Sequence, residues 1–482
     1  MTDKADKGKN TGKGKITAAL AMACACACAW LCGCRTTASQ LAHFEQCLVT
    51  GDYAGAAQLG GTLARKENRN TLLWQLNAAS ACALDGRMDD AITYADAAEA
   101  LAISNDFASA VEKGARTAGA VLVNDMATDY EASGPELVYN GLLKAIQYLA
   151  LGNRNACRTE LNRMMGWQEE YRYRRGKYIN AMMETIRKEQ RPDSLGMNRK
   201  VSEAMQNCPE LAENLPEGAF RPALETLAAA DYLNAYVLHV AGVFRHLNGD
   251  GGRVQLKRAM ELAPSNPSVA RDFADCDAGR KPSGQVWVWI ENGLCPARAE
   301  FVAPVLIPIP MPYGGMEMLG ATVAMPYLVP RGAAFAACQV NGVPCAPLQD
   351  FDRLVQSDFA IWMKGATARE VARVSTRIAS QAALLIAEYN ADDPDARLSM
   401  QLARLGVMAY SMGSSAADIR SAAAMPKSVE YCRVDRPANG RIQVVADGQA
   451  IPVTLPENAS NAMVFVRKMS PYAPAAVAVA GF

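Results

Sequence analysis

The chain has 482 residues, of which 50% are hydrophobic and 20% are charged, and its formal net charge is zero. This length allows two or three domains with a large buried core, and the composition is ordinary for a globular protein. Residues 1–33 carry five lysines and two aspartates, so the remainder has a net charge of −3. This balance argues against nucleic acid or an acidic membrane surface as the main partner.

The leader has the pattern of a secretory signal peptide. Five lysines lie within residues 1–15, and residues 16–31 form an apolar stretch without charge. This stretch is too short for a comfortable transmembrane helix. The first alternative is a plain signal peptide, which would be cleaved at a site such as residues 25–27, Ala-Cys-Ala.

The second alternative, which we favour, is a lipoprotein leader. Residues 31–34 read Leu-Cys-Gly-Cys, which looks like a bacterial lipobox, where a small residue precedes the cysteine that is cleaved before and lipidated. We therefore predict lipid attachment at Cys34 and a signal peptide over residues 1–33. Arg35 stands where an aspartate tends to retain Gram-negative lipoproteins in the inner membrane, so we expect the outer membrane.

Helical repeats are indicated by a pattern in the next segment. The stretches "CLVTGDYAGAAQL" and "CALDGRMDDAITY" place Gly51 and Gly86 35 residues apart, and each glycine is followed five residues later by a small one, Ala56 or Ala91. This spacing is typical of the turn in tetratricopeptide repeats, where the glycine relaxes the corner and the small residue lets two helices approach.

Two further copies extend the pattern. The third places Gly152 and Cys157 in the same roles, and a looser fourth copy runs from Leu233 to Pro267. In this register Cys47 and Cys82 occupy one packing position, so we expect these cysteines to be buried as small hydrophobic residues. Stacked repeats form a curved array whose concave face binds peptides or proteins.

The periodicity changes at residues 279–284. The run "QVWVWI" and the segments after it are typical of strands, residues 349–390 and 396–412 have helical spacing, and "SVEYCRV", "RIQVVADGQAIPVTL" and "AMVFVRK" are typical of closing strands. We predict an N-terminal all-α solenoid of tetratricopeptide-like repeats over residues 34–278, followed by an α+β domain over residues 284–482.

A hairpin is predicted at Asn341-Gly342, the strongest short hairpin signal. A two-residue loop would pair Val340 with Val343 and place Cys338 opposite Cys345. Two interpretations stay open for these cysteines: they form a disulfide in an oxidising compartment, or they are two free thiols.

Four segments together resemble an uncharacterised family of bacterial outer-membrane lipoproteins with tetratricopeptide-like repeats. They are "LVNDMATDYEASGPELVYNGLLKAIQYLALGNRNACRTELNR", "LNAYVLHVAGVFRHLNGD", "VWIENGLCPARAEF" and "AADIRSAAAMPKSVEYCRV". The resemblance spans about residues 34–450 and carries over these motif positions, whose role is unknown: Asn124, Asp125, Tyr130, Glu136, Glu160, Arg163, the hairpin residues Gly293 and Pro296, Asp418 and Arg420. The chain departs from the family at Ala422, where tryptophan is frequent, and at Asn292, where aspartate is usual.

The resemblance implies an envelope lipoprotein but no reaction. It also implies a link to peptidoglycan synthesis, because relatives occur near genes for a lipoprotein activator of peptidoglycan synthases. Independently, Glu160 and Arg163 are three residues apart on one helix and can pair. Asp418 and Arg420 precede a strand and can fix that corner. We favour a structural role for both pairs.

Motifs for catalysis are missing from the sequence. It contains no Gly-x-Ser-x-Gly, His-Glu-x-x-His or Gly-x-x-x-x-Gly-Lys. "NGDGGR" and "NADDPDA" are interpreted as loops, and a core or capping role fits His239 and His246 better than metal binding. We therefore predict no catalytic residue, no metal, no cofactor and no nucleic-acid partner.

Three functional hypotheses follow. The leading one is a protein-binding scaffold or assembly factor. It is anchored by palmitate to the outer membrane, faces the periplasm and binds an envelope protein or peptide. The second is an envelope hydrolase or peptidoglycan-active enzyme with its site in residues 284–482. The third is a passive envelope component, in which the concave repeat face would be filled or covered.

Overall fold

The structure is a computed structural model that describes residues 37–106, 125–170, 197–206 and 233–482. The predicted leader, the lipidation site Cys34 and the motif residue Asn124 lie outside these ranges. Among the described helices, none combines the length and the apolar character needed to cross a membrane.

The first part of the chain is helical. Its helices are α1 (residues 37–50), α2 (Tyr53–Ala64), α3 (Thr71–Leu84), α4 (Met88–Asp106), α5 (Gly134–Ala150), α6 (residues 154–170), α7 (Met197–Gln206), α8 (Ala235–Asn248), α9 (Arg253–Leu262) and α10 (Pro267–Asp277). A single 3₁₀ turn, Asp125–Ala127, precedes α5.

Four helix pairs in this part are joined by the same turn. Its central residue is a glycine with a φ between 75° and 83°, a conformation that side chains with a Cβ rarely adopt. In each turn the residue after the glycine donates its N–H to the carbonyl four residues before the glycine, which caps the helix end. These donor and acceptor pairs are Asp52 and Cys47, Arg87 and Cys82, Asn153 and Tyr148, and Asp250 and Arg245.

The burial of the small residues agrees with the repeat pattern. Ala56, Ala91 and Cys157 are at most 1% exposed, and Cys47 and Cys82 are also buried. The predicted packing role of these three cysteines is therefore confirmed. Burial raises the pKa of Cys157 to about 12, as expected of a thiol among apolar side chains.

The second part of the chain contains three sheets and two long helices. Its elements are β1 (Gln285–Asn292), β2 (Ala297–Pro310), β3 (Met316–Val329), β4 (Cys338–Val340), β5 (Val343–Pro344), β6 (Ala346–Asp350), α11 (Phe351–Asn390), α12 (Pro394–Ser414), β7 (Ser428–Asp435), β8 (Arg441–Ala446), β9 (Gln449–Thr454), β10 (Ala462–Lys468) and β11 (Ala476–Gly481). The prediction of a helical region followed by an α+β region is confirmed.

The eleven strands of this part form three separate sheets. One has five strands in the order β11-β10-β1-β7-β6, one has four in the order β5-β4-β8-β9, and β2 pairs only with β3. In the five-stranded sheet β1 is parallel to β10 and antiparallel to β7. The helices α11 and α12 form a hairpin, and the inner face of β2–β3 packs on α11.

The central strand β1 is buried on both faces, because its sequence is apolar on both sides. Trp287 and Trp289 face one cluster that includes α5 and α8. Val286, Val288 and Ile290 face a second cluster with the four-stranded sheet. The helical part and the five-stranded sheet therefore share one hydrophobic core.

Two turn predictions have different outcomes. The hairpin at Asn341-Gly342 has the predicted register, with Val340 opposite Val343. The prediction of a hairpin at Gly293 and Pro296 is wrong, because these residues connect β1 and β2, which belong to different sheets. Gly293 has a φ of 57°, and a Cβ there would lie 2.8 Å from the Gly332 carbonyl oxygen.

Candidate functional site

Arg420 is the centre of a buried polar cluster that joins distant parts of the chain. Its Nε and Nη2 donate to the two carboxylate oxygens of Asp418, at 2.8 and 2.9 Å. Its Nη1 donates to the Asn70 side chain at 3.0 Å and to the Thr128 carbonyl at 2.9 Å. Nη2 also donates to the Asp125 carbonyl at 3.1 Å. The five N–H groups of a guanidinium thus match five acceptors.

Glu136 connects the start of α5 to the same cluster. Its Oε2 accepts from the Ser133 amide at 2.6 Å, and the Ser133 hydroxyl accepts from the Glu136 amide, which together form a capping box. Its Oε1 accepts from the Tyr130 hydroxyl at 2.7 Å and from the Ala422 amide at 2.6 Å. One carboxylate therefore holds a helix end and the segment before β7.

The Asp125 carboxylate connects the cluster to α11. Arg369 donates to both of its oxygens, at 3.1 and 2.9 Å, and Arg373 donates to Oδ1 at 2.9 Å. Half of the ten motif positions are therefore brought together, and we call this group the motif cluster. Its members are Asp125, Tyr130, Glu136, Asp418 and Arg420.

The electrostatics of the motif cluster indicate a structural joint. Burial works to raise the pKa of Asp418, but the Arg420 charge and its hydrogen bonds outweigh burial, so the pKa is lowered. Burial, followed by the Glu136 carboxylate, raises the pKa of Tyr130 well above its usual value. Arg420 is 0% exposed and Tyr130 1%, so a ligand has no access to these groups.

The predicted pair Glu160 and Arg163 is present and belongs to a second polar network, which surrounds the buried Lys144. Arg163 Nη1 lies 3.2 Å from Glu160 Oε1. The fully buried Lys144 Nζ lies 2.8 Å from Asp96, 2.6 Å from Glu99 and 2.9 Å from Glu160. Burial works to lower the pKa of Lys144, but the three carboxylates raise it. This network ties α4, α5 and α6 together.

Gly293 and Pro296 are buried in the connection from β1 to β2. The neighbouring Asn292, a departure from the family, uses both ends of its amide. Its Oδ1 accepts from the Ala334 and Phe335 amides at 2.8 and 3.2 Å, and its Nδ2 donates to the Phe335 carbonyl at 3.0 Å. An ionised aspartate lacks that donor, which explains an asparagine here.

His239 has the core role that we predicted. Its Nε2 lies 3.0 Å from Asp272 Oδ2, and its Nδ1 accepts from the Trp289 indole at 3.0 Å. Asp272 also accepts from Tyr431 and Arg433. His239 is 0% exposed, and both ring nitrogens are used within the core.

Three cysteines lie side by side where two sheets meet. Cys345 is the middle one, with its Sγ 3.0 Å from Cys432 Sγ and its N–H donating to the Cys338 carbonyl at 3.0 Å. All three are free thiols in the structure, so a Cys338–Cys345 disulfide stays a prediction. Among the described residues, no group of three or more His, Cys, Asp or Glu side chains is arranged to hold a metal ion.

A cavity of about 110 Å³ lies between the helical part and the five-stranded sheet. Its walls come from α3 and α5 on one side and from β10 and β11 on the other. Gly86 and Val477 are exposed at its rim. The residues that line it include the apolar Leu84, Met88, Leu143, Ile146, Phe465 and Val477 and the polar Ser80, Gln147 and Glu291.

Arg467 provides the positive charge of this cavity. Its side chain is buried, at 7% exposure, and its Nη2 donates to the Ala424 carbonyl at 3.0 Å. Its Nε lies 3.3 Å from Glu291 Oε2, directly across the parallel pair β1–β10. Its Nε and Nη1 are both buried and make no hydrogen bond. Buried donors without an acceptor are costly, so this ion pair is an incompletely satisfied part of the contact between the two parts of the chain.

Glu291 is held in place from the helical side. Its Oε2 accepts from the Tyr139 hydroxyl at 2.9 Å, and its Oε1 accepts from the Tyr236 hydroxyl at 3.0 Å. Burial raises the pKa of Glu291, although the Arg467 charge and the two tyrosines oppose this. Two helices and two strands therefore fix the position of the Arg467 guanidinium.

Sequence reasoning missed Glu291, Arg467 and the cavity. The sequence does contain a signal for this pair, namely a charged residue within an apolar strand. "QVWVWIEN" contains a glutamate and "AMVFVRK" contains an arginine. A charged residue in such a strand is rarely buried without a partner. The sequence does not show which residue pairs with which, because Glu291 and Arg467 lie far apart in the chain.

Comparisons with known proteins give no identification: neither a family model, nor a curated protein, nor a solved structure matches this chain.

Proposed function

We propose that this protein is a lipoprotein of the outer membrane that binds other proteins of the cell envelope as a scaffold or assembly factor. Cys34 would carry the lipid, with palmitate as an acyl chain, and the folded part would face the periplasm. The proposal includes a link to peptidoglycan synthesis and assigns the chain no catalytic activity. The leader, the repeated helix pairs and an exposed apolar surface support it.

The observation that carries the proposal is an apolar surface on α12. Its residues are spaced by three or four positions and therefore lie on one face of the helix. We call it the α12 seam, and it comprises Leu398, Leu402, Leu405, Met408 and Met412. Their exposed fractions are 54%, 43%, 60%, 39% and 71%. A contiguous exposed apolar surface of this kind marks a site of protein interaction.

The spacing of the α12 seam favours an amphipathic helix as its occupant. Leu398, Leu402, Leu405 and Met412 follow the alternation of four and three residues that brings helices together in coiled coils. The opposite face of α12 is already used, because α12 packs on α11 and β3. We therefore propose that an apolar helix of an envelope protein docks on the seam.

The repeated helix pairs support a second element of the proposal, their assignment as tetratricopeptide-like repeats. They share the glycine turn, the same capping hydrogen bond and a buried small residue five positions later. Their inner faces are in part covered, because α5 and α8 pack on the five-stranded sheet. The α12 seam is therefore a better candidate for partner binding than the inner face of the repeats.

The anchor is tested by labelling cells with a palmitate analogue and fractionating their membranes. Wild type should be labelled and recovered with the outer membrane, whereas Cys34→Ala should lose the label and become soluble. Cys32→Ala is the matched control, since it changes a cysteine two residues away and should leave both results unchanged. A labelled, membrane-bound Cys34→Ala variant would show that the anchor is elsewhere.

The scaffold is tested by crosslinking in cells followed by mass spectrometry. We compare wild type with the double variant Leu402→Glu, Leu405→Glu, which should lose its crosslinked envelope partner while its thermal stability changes little. Val254→Glu is the control, because Val254 is 60% exposed on α9, away from the seam. Equal partner recovery from all three proteins contradicts the proposal. Crosslinks between two copies of the chain would assign the seam to self-association instead.

A further inference from the structure

The thiols of Cys338, Cys345 and Cys432 lie together where the four-stranded sheet packs on the five-stranded sheet. Cys338 belongs to β4 and Cys432 to β7, and Cys345 lies between β5 and β6, where the chain passes from one sheet to the other. Cys338 and Cys432 belong to one hydrophobic cluster, and Cys345 packs against it. These thiols have no role in the proposed scaffold, but two of them can be oxidised to a disulfide.

The geometry favours Cys432 as the partner of Cys345. Their Sγ atoms lie 3.0 Å apart, and a disulfide of about 2.05 Å requires them to approach by only about 1 Å. The register of β6 on β7 pairs Ala346 with Tyr431, so the next position along this ladder brings Cys345 opposite Cys432. Opposite residues of antiparallel strands have Cα atoms about 4.5–5.5 Å apart, which lies within the range of disulfides.

Cys338 is the less suitable partner, because it faces Cys345 in a hydrogen-bonded pair of the hairpin. The Cys345 N–H donates to the Cys338 carbonyl at 3.0 Å. At such positions the Cβ atoms lie near the upper end of the cross-strand range, at about 5.5 Å. Disulfides usually have Cβ atoms about 3.5–4.5 Å apart, so a bond across the hairpin would require its two strands to move.

We propose that Cys345 and Cys432 are the disulfide partners of this protein under oxidising conditions, and that Cys338 remains a thiol beside them. The presence of the bond in cells rests on the export of the chain to an oxidising compartment, which is part of the proposed function. The bond closes a loop that contains α11 and α12. Because the two cysteines lie 87 positions apart, this bond restricts the unfolded chain more than a bond across the hairpin.

The oxidant is itself a disulfide, that of a thiol–disulfide oxidoreductase or of glutathione. Cys345 is half-buried and follows the exposed Val343 and Pro344, whereas Cys432 is 0% exposed, so the oxidant reaches Cys345 first. Cys345 loses its proton and its sulfur attacks the oxidant, which forms a mixed disulfide and releases one thiolate. Cys432 then loses its proton, and its sulfur attacks Sγ of Cys345 and displaces the second thiolate. The two displaced thiolates take up the two protons, so one disulfide is reduced while the two cysteines are oxidised.

Peptide mapping of the full-length protein without reductant tests the proposal. Free thiols are blocked with N-ethylmaleimide in denaturant, and the protein is then digested with trypsin. Trypsin leaves Cys338 and Cys345 together in residues 332–353 and Cys432 in residues 428–433. We expect these two peptides to be linked, with the blocked thiol at Cys338. A peptide 332–353 without a partner, lighter by two hydrogen atoms than its reduced form, would show a bond across the hairpin and overturn the proposal.

Two samples separate this proposal from the proposed export. One is the protein isolated from cells, and the other is the purified, reduced and refolded protein after oxidation by glutathione disulfide. Linked peptides in the cell sample support both the pairing and the export. Linked peptides in the glutathione sample alone support the pairing and contradict the export. Their absence from both samples overturns the pairing, even if the palmitate label shows that the chain is exported.

Three variants assign the bond to its cysteines. Cys345→Ala and Cys432→Ala should each abolish the linked peptides, and Cys338→Ala is the matched control that should keep them. A reductant should lower the melting temperature of the oxidised wild type and of Cys338→Ala by about 5 °C, because it releases the long loop. Cys345→Ala should show no such shift. An equal shift in the folded Cys345→Ala variant, or linked peptides that persist in it, contradict the assignment.

Discussion

At the scale of single residues, Arg420 has the most complete set of partners in the described part of the motif cluster. Its guanidinium contacts a side chain of α3's N-terminal cap, Asn70, and two carbonyls near Asp125, in addition to Asp418. A buried charge is tolerated at this point because every N–H has an acceptor and the carboxylate is adjacent.

The first prediction concerns the loss of this charge. Arg420→Met should lower the free energy of unfolding by about 3–5 kcal/mol, because Asp418 stays buried without its partner. Urea unfolding followed by circular dichroism measures this. Arg253→Met is the control, since Arg253 and Asp277 form an exposed pair that should contribute less than about 1 kcal/mol. Equal effects of the two substitutions would contradict a role for the cluster in stability.

The second prediction concerns pH. The pKa of Asp418 is lower in the folded protein than its ordinary value of 3.8, so the ionised carboxylate stabilises the fold above that value, and this stabilisation is lost as the pH falls through the lowered pKa. Wild type should therefore be more stable than Asp418→Asn at pH 7, with a difference that shrinks below about pH 4. Urea unfolding of both proteins from pH 7 to pH 3 measures it, and a difference that is constant over this range is incompatible with the assignment.

At the scale of elements, α5 begins with a capping box whose glutamate has a second role. Ser133 and Glu136 cap the helix through local hydrogen bonds, a pattern that the sequence contains as Ser-x-x-Glu. The same glutamate accepts from Tyr130 and from the Ala422 amide. The local half of this arrangement is visible in the sequence, and the other half depends on a segment 286 residues away.

The third prediction separates these two roles. Ser133→Ala should cost about 1 kcal/mol, as for other N-caps. Glu136→Ala should cost more, about 2–5 kcal/mol, because it also leaves the Tyr130 hydroxyl and the Ala422 amide without an acceptor. Asp52→Ala, at the exposed N-cap of α2, provides a reference for a cap without a second role. Chemical unfolding would argue against the shared role if Glu136→Ala cost no more than Ser133→Ala.

The helix pairs show how far element prediction could go. The sequence predicts turns at Gly51, Gly86 and Gly152 because glycine readily adopts positive φ, a property of the residue itself. The sequence also predicts a hairpin at Gly293, but the connection there joins two sheets. A turn residue indicates that the chain bends, whereas the partner of each following strand depends on contacts made later in folding.

At the scale of the whole molecule, the helical part and the α+β part are packed as one body of structure. One core cluster includes side chains of α5, α8, β1 and β10. Hydrogen bonds cross the same boundary at Tyr139 and Tyr236, which both donate to Glu291. The two predicted domains, residues 34–278 and 284–482, therefore meet through apolar packing and hydrogen bonds.

The fourth prediction follows from this shared core. Heating the full chain should give a single calorimetric transition, because neither part keeps its buried surface when the other unfolds. A fragment of residues 35–278 should lack a cooperative transition, since removal of the sheet exposes the apolar faces of α5 and α8. The control is the full chain carrying Val254→Glu, an exposed substitution that should keep one transition. Two separate transitions in the full chain would show independent domains.

The sequence by itself determined the helix pairs, their glycine turns, the burial of Cys47, Cys82 and Cys157, and the change from helices to strands. These features depend on residue conformation and on periodicity over a few residues, which are local properties of a chain.

Only the tertiary structure decided which charged groups meet. Arg420 donates to Asn70, which lies 350 positions away in the chain. Arg467 lies opposite Glu291 on a neighbouring strand that is remote in the sequence. Such pairs form because a buried charge requires a partner, and any of several residues could have provided it until packing selected one. The residues of the motif cluster were named only through a family resemblance, which did not predict that they meet, and the pair at Arg467 was not named at all.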